Sequence, residues 1–238
     1  MLTYFTKIAE NLPEFVSAEK AARFNSLPAM VTGLSHIHKA HLLARLAVSA
    51  LDKPVLVLAK AESDASRLCA DINTLLGEEK CKVYPAKDIT LGDVEAASSE
   101  YSHKRIDVLY KLATGVLPMV VATPEAACQL TIPPEELFSS TITLQGNQEI
   151  NLDKLIRRLI KAGFSRCDQI EGVGQFSVRG AIVDIFPINS AQPVRIELWG
   201  DEIDTISYFE LESQRRTKNI DKVEIAPATE LLFESDEA

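Results

Sequence analysis

Hydrophobic positions in the first 130 residues follow two alternating patterns. Residues 54–59 (PVLVLA) and 119–123 (MVVAT) are short, almost wholly apolar runs, as is 29–32. Such runs suit strands buried on both faces of a parallel sheet. Between them, apolar residues recur every three or four positions. Leu42, Leu43, Leu46, Ala47 and Ala50 form one stripe over 39–51, and 63–76 and 98–112 read the same way, as amphipathic helices do. Strands alternating with helices of this length predict an α/β domain over 1–130 with a doubly wound parallel sheet. Residues 81–86 (CKVYPA) could add a strand, and the turn-rich KDITLGD after them reads as a loop.

Beyond residue 130 the pattern changes. A connector opens with Pro133-Pro134, residues 141–145 read as a strand, and NLDKLIRRLIKAGF reads as a helix with Asn151 as N-cap and Gly163 as its stop. Three β-patterned runs then follow closely, over 175–187, 193–200 and 202–210. Sequential strands separated by turn residues predict an antiparallel meander, hence an α+β second domain over 131–218. Residues 219–238 hold six acidic residues against Lys222 alone and show no convincing element.

Alternation within the meander predicts its faces. Treated as continuous, the run 175–187 places Val178, Ile182, Asp184 and Phe186 on one side and Arg179, Ala181, Val183 and Ile185 on the other. In the next run Val194, Ile196 and Leu198 oppose Arg195, Glu197 and Trp199. Burying Val178, Ile182, Phe186, Val194, Ile196 and Leu198 under the helix groups Arg179, Val183, Ile185, Arg195, Glu197 and Trp199 on the second face. Trp and Arg on an apolar floor match interaction hot spots; the same residues would also suit an exposed, merely decorated sheet.

The net charge is −9, which argues against a DNA binder working by broad phosphate neutralisation. The four cysteines are irregularly spaced and fit neither a zinc motif nor a disulfide framework. Reduced, buried thiols in a cytoplasmic protein are expected. No apolar run approaches the roughly 18 residues of a membrane span, and the N-terminal MLTYFTKIAENLPEF lacks the pattern of a secretion signal.

VTGLSHIHKAHLLARLAV, residues 31–48, looks like a phosphate-binding loop without its chemistry. Gly33 and Lys39 stand where G-x-x-x-x-G-K-[ST] places its first Gly and its Lys, but His38 replaces the second Gly and Ala40 the hydroxyl that holds Mg²⁺. A strand-to-helix turn kept for folding is the favoured reading, with residual nucleotide binding the alternative. His36, His38 and His41 lack the neighbouring Cys or carboxylate that a metal site requires.

VRGAIVDIFP, VRIELWGDEIDTISYFELESQR and APATE carry a family resemblance. Together they resemble the N-terminal, UvrB-like region of the bacterial transcription-repair coupling factors. The R-G-x-x-x-D-[IL]-[FY]-P and [FW]-x-[DE]-E-I-[DE] strings at 179–187 and 199–204 are shared with UvrB, whereas S-Q-R at 213–215 looks more like the coupling factors. Weaker similarity runs back through SSEYSHKRIDVLYKL to the N-terminus. The resemblance implies a degenerate RecA-like domain interrupted by a small α+β domain, with 219–238 the truncated start of the returning part of the first. It further implies that the small domain docks the damage-recognition protein UvrA through Arg179, Arg195 and Glu197, with Arg166 a further candidate. No cofactor is implied for this stretch. RNA polymerase and DNA binding, and an ATP- and Mg-dependent translocase motor of helicase superfamily 2, would belong to other domains of such a protein.

Overall fold

The computed structural model describes residues 12–24, 28–49, 53–87 and 95–230, with side chains from 100 onward in the last span. The KDITLGD stretch after Lys87, the N-terminal MLTYFTKIAEN and residues 231–238 lie outside the described residues. The fold is mixed α/β. It divides into two compact units, the first built from residues up to 88 with 111–129, the second from 89–110 with 130 onward.

The first unit holds a parallel sheet of order β1-β3-β2, formed by β1 (Val55–Leu58), β2 (Cys81–Tyr84) and β3 (Met119–Ala122). Helices α1 (Pro13–Arg23), α2 (His36–Val48) and α3 (Glu62–Leu76) accompany it. Ala40, Ala44, Ile72, Cys81, Met119 and Val121 form its buried centre. Small residues on α2 let the helix approach closely; the buried side is centred on Ala40, Ala44 and Ala47, so of the expected stripe Ala47 is buried here, Leu43 and Leu46 only flank it, and Leu42 packs on Phe15 instead. Asn73 closes α3 onto β2: its Nδ2 donates to the Cys81 carbonyl at 2.8 Å, and its Oδ1 accepts from the Cys81 amide at 2.9 Å.

Residues 29–32 are not a strand. An apolar run becomes one only where a neighbour takes its backbone N–H and C=O groups, and these residues enter no ladder among the described residues, with Met30 exposed to solvent. The four cysteines are free thiols, but only Cys69 and Cys81 are buried; Cys128 is exposed.

Most of helix α4 (Glu95–Ala113) belongs to the second unit; the short helices α5 (Pro124–Ala127) and α6 (Pro134–Ser140) follow, the latter where a connector was expected. Next come β4 (Ile142–Gln145) and α7 (Leu152–Lys161). Asn151 caps α7 by accepting from the Lys154 amide at 2.8 Å, and Gly163 ends it at φ 87°. A six-stranded sheet then runs in the order β10-β9-β8-β7-β6-β5. Its strands are β5 (Ser165–Arg166), β6 (Gln175–Arg179), β7 (Ile182–Ile185), β8 (Val194–Trp199), β9 (Glu202–Phe209) and β10 (Arg216–Asn219). All its neighbours are antiparallel except β5 and β6.

One more strand, β11 (Lys222–Ile225), pairs with β4 in the region where the sequence suggested no element. Val223 and Ile225 are buried while Lys222 and Glu224 are exposed. Four residues half made of charges give too short a pattern to read, and the partner strand lies some 80 positions away. The core of this unit joins Leu155 and Leu159 of α7 to Phe176, Val183, Ile185, Val194, Ile196 and Ile206. No described helix is long and apolar enough to cross a membrane.

Candidate partner-docking face

The run 175–187 is two strands, not one. Gly180 and Ala181 form a two-residue turn that sets Arg179 opposite Ile182, Val178 opposite Val183 and Phe176 opposite Ile185. Gly180 takes the first turn position at φ 61°, where a residue without Cβ is favoured. Strand β7 then pairs with β8 so that Val183 faces Ile196, Asp184 faces Arg195 and Ile182 faces Glu197.

That register corrects the expected faces. Val183 and Ile185 are fully buried in the core on α7, so neither belongs to a docking surface. Ile182, Asp184 and Phe186 do share a face, as alternation required, but it is the face of Arg179, Arg195 and Glu197. A one-residue change of register across the hairpin moves a whole strand's side chains to the opposite side. Arg179, Arg195 and Glu197 stay together because their own positions kept the same parity.

Asp184 organises this face. Its side chain is 2% exposed, and its Oδ1 accepts from Arg195 Nε at 2.7 Å while Oδ2 accepts from Arg195 Nη2 at 2.9 Å. Oδ2 also accepts from Arg179 Nη2 at 2.7 Å. The carboxylate therefore grips Arg195 with both oxygens and Arg179 with one, the fork geometry that guanidinium favours. Arg195 is further held by the Gln214 carbonyl at 3.1 Å and lies 4.6 Å above the Phe209 ring. Hydrogen bonding to Asp184, chiefly, pushes the Arg195 pKa above its ordinary value, burial opposing it. Phe209 belongs to a small apolar cluster with Ile170 and Phe186, so one end of the face is closed.

The other end is open. Arg179 keeps 49% of its side chain exposed, and Trp199 is 83% exposed beside the turn from β8 to β9. Glu197 is paired with Arg216 of β10. Arg166 is exposed on β5, level with Phe176 of the core side, and so stands apart from the Arg179 group. Sequence reasoning missed Asp184 as a site residue. The available signal was an acidic residue inside the otherwise apolar IVDIF, a place where an unpaired charge is costly and a partner is required.

A model of the UvrB interaction domain family matches residues 142–231, which contain this whole face. Over 240 aligned residues the chain is 34% identical to the transcription-repair-coupling factor of Bacillus subtilis (strain 168), covering 96% of this chain and 20% of that protein. The chain is homologous to the transcription-repair-coupling factors. It is 29% identical over 210 residues to the one from Staphylococcus aureus (strain Mu50 / ATCC 700699), with 88% of this chain and 18% of that protein covered. With the Staphylococcus haemolyticus (strain JCSC1435) factor it shares 31% identity over 208 residues, covering 87% and 18%. The chain thus spans about a fifth of the length of these coupling factors.

The loop around Gly33 and Lys39 lies in the first unit. Gly33 has φ 76° and precedes the N-cap Ser35 by two residues; His38 and Lys39 are exposed in the first turn of α2. Ser35 Oγ lies 3.1 Å from His38 Nδ1, and His36 Nε2 lies 3.1 Å from Asp71 Oδ2. Burial, with the neighbouring His38, lowers the pKa of His41. Ala40 is fully buried, so the position that offers a hydroxyl to Mg²⁺ in a working loop offers a methyl group to the core.

Proposed function

We propose that this chain is a non-catalytic docking module that recruits UvrA to transcription-blocking damage in nucleotide excision repair, as part of a coupling factor. The observation that carries this reading is the open end of the Asp184 face, where Arg179 and Trp199 stand exposed beside Glu197 within the UvrB interaction domain. Exposed Arg and Trp grouped on a rigid sheet match the composition of binding hot spots. Arg195 supports the group from beneath, and Arg166, on the other face of the sheet, is left out of it. The first unit is read as a RecA-like sheet retained as architecture, with 1–130, 131–218 and 219–238 as first domain, docking domain and start of the returning segment. RNA polymerase, DNA and an ATP-driven motor are assigned to other parts of such a factor, acting in the cytoplasm.

Immobilised UvrA with the purified chain tests this. Wild-type protein should bind, and Arg179→Glu should bind at least about tenfold more weakly with an unchanged melting temperature, since reversing a charge at an interface places like charges together. Equal binding by both would reject the reading.

A second reading, residual nucleotide binding, is favoured by one feature. An open groove of about 600 Å³ in the first unit is lined by Leu34, His36, Lys39, Leu58, Lys60 and Asp64. Ala40 cannot supply the metal ligand, so this second reading extends to binding and not to hydrolysis. Calorimetric titration with Mg-ATP decides it: heat of binding at millimolar nucleotide would support this reading, and none would remove it.

A further inference from the structure

Arg179 and Arg195 share one carboxylate but are spent differently. Arg195 uses Nε, Nη1 and Nη2 inward, on Asp184 and Gln214, and its guanidinium is stacked on Phe209 with 12% of the side chain exposed. Arg179 donates through Nη2 alone among the described contacts, and half of its side chain faces solvent. The second Nη2–H, with the Nη1–H or Nε–H beside it, remains available as a donor pair on the fork edge not turned to Asp184. The bidentate Arg195–Asp184 pair is neutral, so the net positive charge of this trio resides on Arg179. Nearby Glu197 is itself neutralised by Arg216. The result is a single, braced cation in a chain of net charge −9.

Building on the docking reading above, we propose that Asp184 is a positioning residue that holds Arg179 ready for a carboxylate side chain of the docked protein, with Arg195 serving as the strut that keeps the Asp184 side chain fixed. An exposed arginine ordinarily loses substantial side-chain freedom when it is captured. Bracing Nη2 from below removes part of that cost before the partner arrives. The guanidinium fork also matches a carboxylate with two parallel hydrogen bonds, which an ammonium cannot copy.

Two measurements test this on the full 238-residue chain. The first needs no partner: ¹⁵N relaxation of the arginine Nε–Hε groups in wild-type protein. Arg179 should be ordered like buried Arg195, while exposed Arg166 moves freely; Arg179 as mobile as Arg166 would overturn the proposal. The second is a binding cycle with UvrA on Asp184→Asn, Arg179→Met and the double variant. Asp184→Asn should weaken binding by about tenfold, and the double variant should bind within about twofold of Arg179→Met, because residues acting as one unit are not additive. Losses that multiply would mean that Asp184 acts only through overall structure. Arg179→Lys should behave like Arg179→Met; full binding by the Lys variant would overturn the carboxylate fork. If wild-type protein does not bind UvrA, the docking reading fails, and the relaxation data still decide whether Asp184 braces Arg179.

Discussion

Arg105 and Glu230 form an ion pair 125 positions apart in sequence, with Arg105 Nε donating to Glu230 Oε1 at 2.5 Å and side chains 0% and 4% exposed. It ties α4 to the segment after β11 within the second unit. Removing one member of a buried pair leaves the other charge without this partner, which typically costs about 3–5 kcal/mol. Glu230→Gln should therefore lower the urea midpoint strongly. A midpoint equal to wild type would show that the pair does not hold the segment in place.

Ile185 and Trp199 make opposite predictions although alternation had grouped them. Ile185 is fully buried, so Ile185→Ala should cost about 2–5 kcal/mol in chemical denaturation. Trp199 is 83% exposed, so Trp199→Ala should stay within about 0.5 kcal/mol of wild type while weakening UvrA binding. A large stability loss at Trp199 would place it under a covering segment instead.

His103 of α4 lies against Gly174, and burial lowers its pKa, with Glu100 pulling weakly the other way. The folded state thus prefers the neutral ring more than the unfolded chain does, whose value is about 6.5. The stability tied to this preference is complete above that value and is lost as pH falls through the lower folded pKa. Melting temperature should drop on acidification through this window, and His103→Gln should flatten that part of the profile. An equal slope in the variant would assign the drop to other groups.

Gly163 ends α7 at φ 87°, and a Cβ there would lie 2.7 Å from Thr229 Cγ2. Left-handed backbone costs a non-glycine residue about 1–3 kcal/mol, and the clash adds to it. Gly163→Ala should destabilise the second unit by at least this amount in thermal unfolding. A neutral effect would mean that Thr229 yields freely.

Local patterns were legible where the cause is local. The helix at 152–161 is written in its apolar spacing, in Asn151 and in Gly163. PVLVLA and MVVAT became adjacent parallel strands, but only the central β3 is buried on both faces; β1 lies at the end of the sheet order and leaves Leu56 and Leu58 exposed. The run at 29–32 is similarly apolar and has no strand to pair with among the described residues, so composition alone misjudged it. Strand β11 failed in the converse way, since its partner β4 supplies what its own four residues cannot.

For the candidate site, the sequence by itself determined which residues alternate: Arg195 with Glu197, and Val183 with Ile185, each on one side of a strand. Only the tertiary structure decided which side of one strand meets which side of the next. The two-residue turn at Gly180-Ala181 and the pairing of β7 with β8 turned Val183 and Ile185 inward and carried Asp184 out to the arginines. Alternation is a property of one strand, whereas register is a relation between two. The physical selection between registers came from burying Val183 and Ile185 against α7 while giving a buried carboxylate two guanidinium partners.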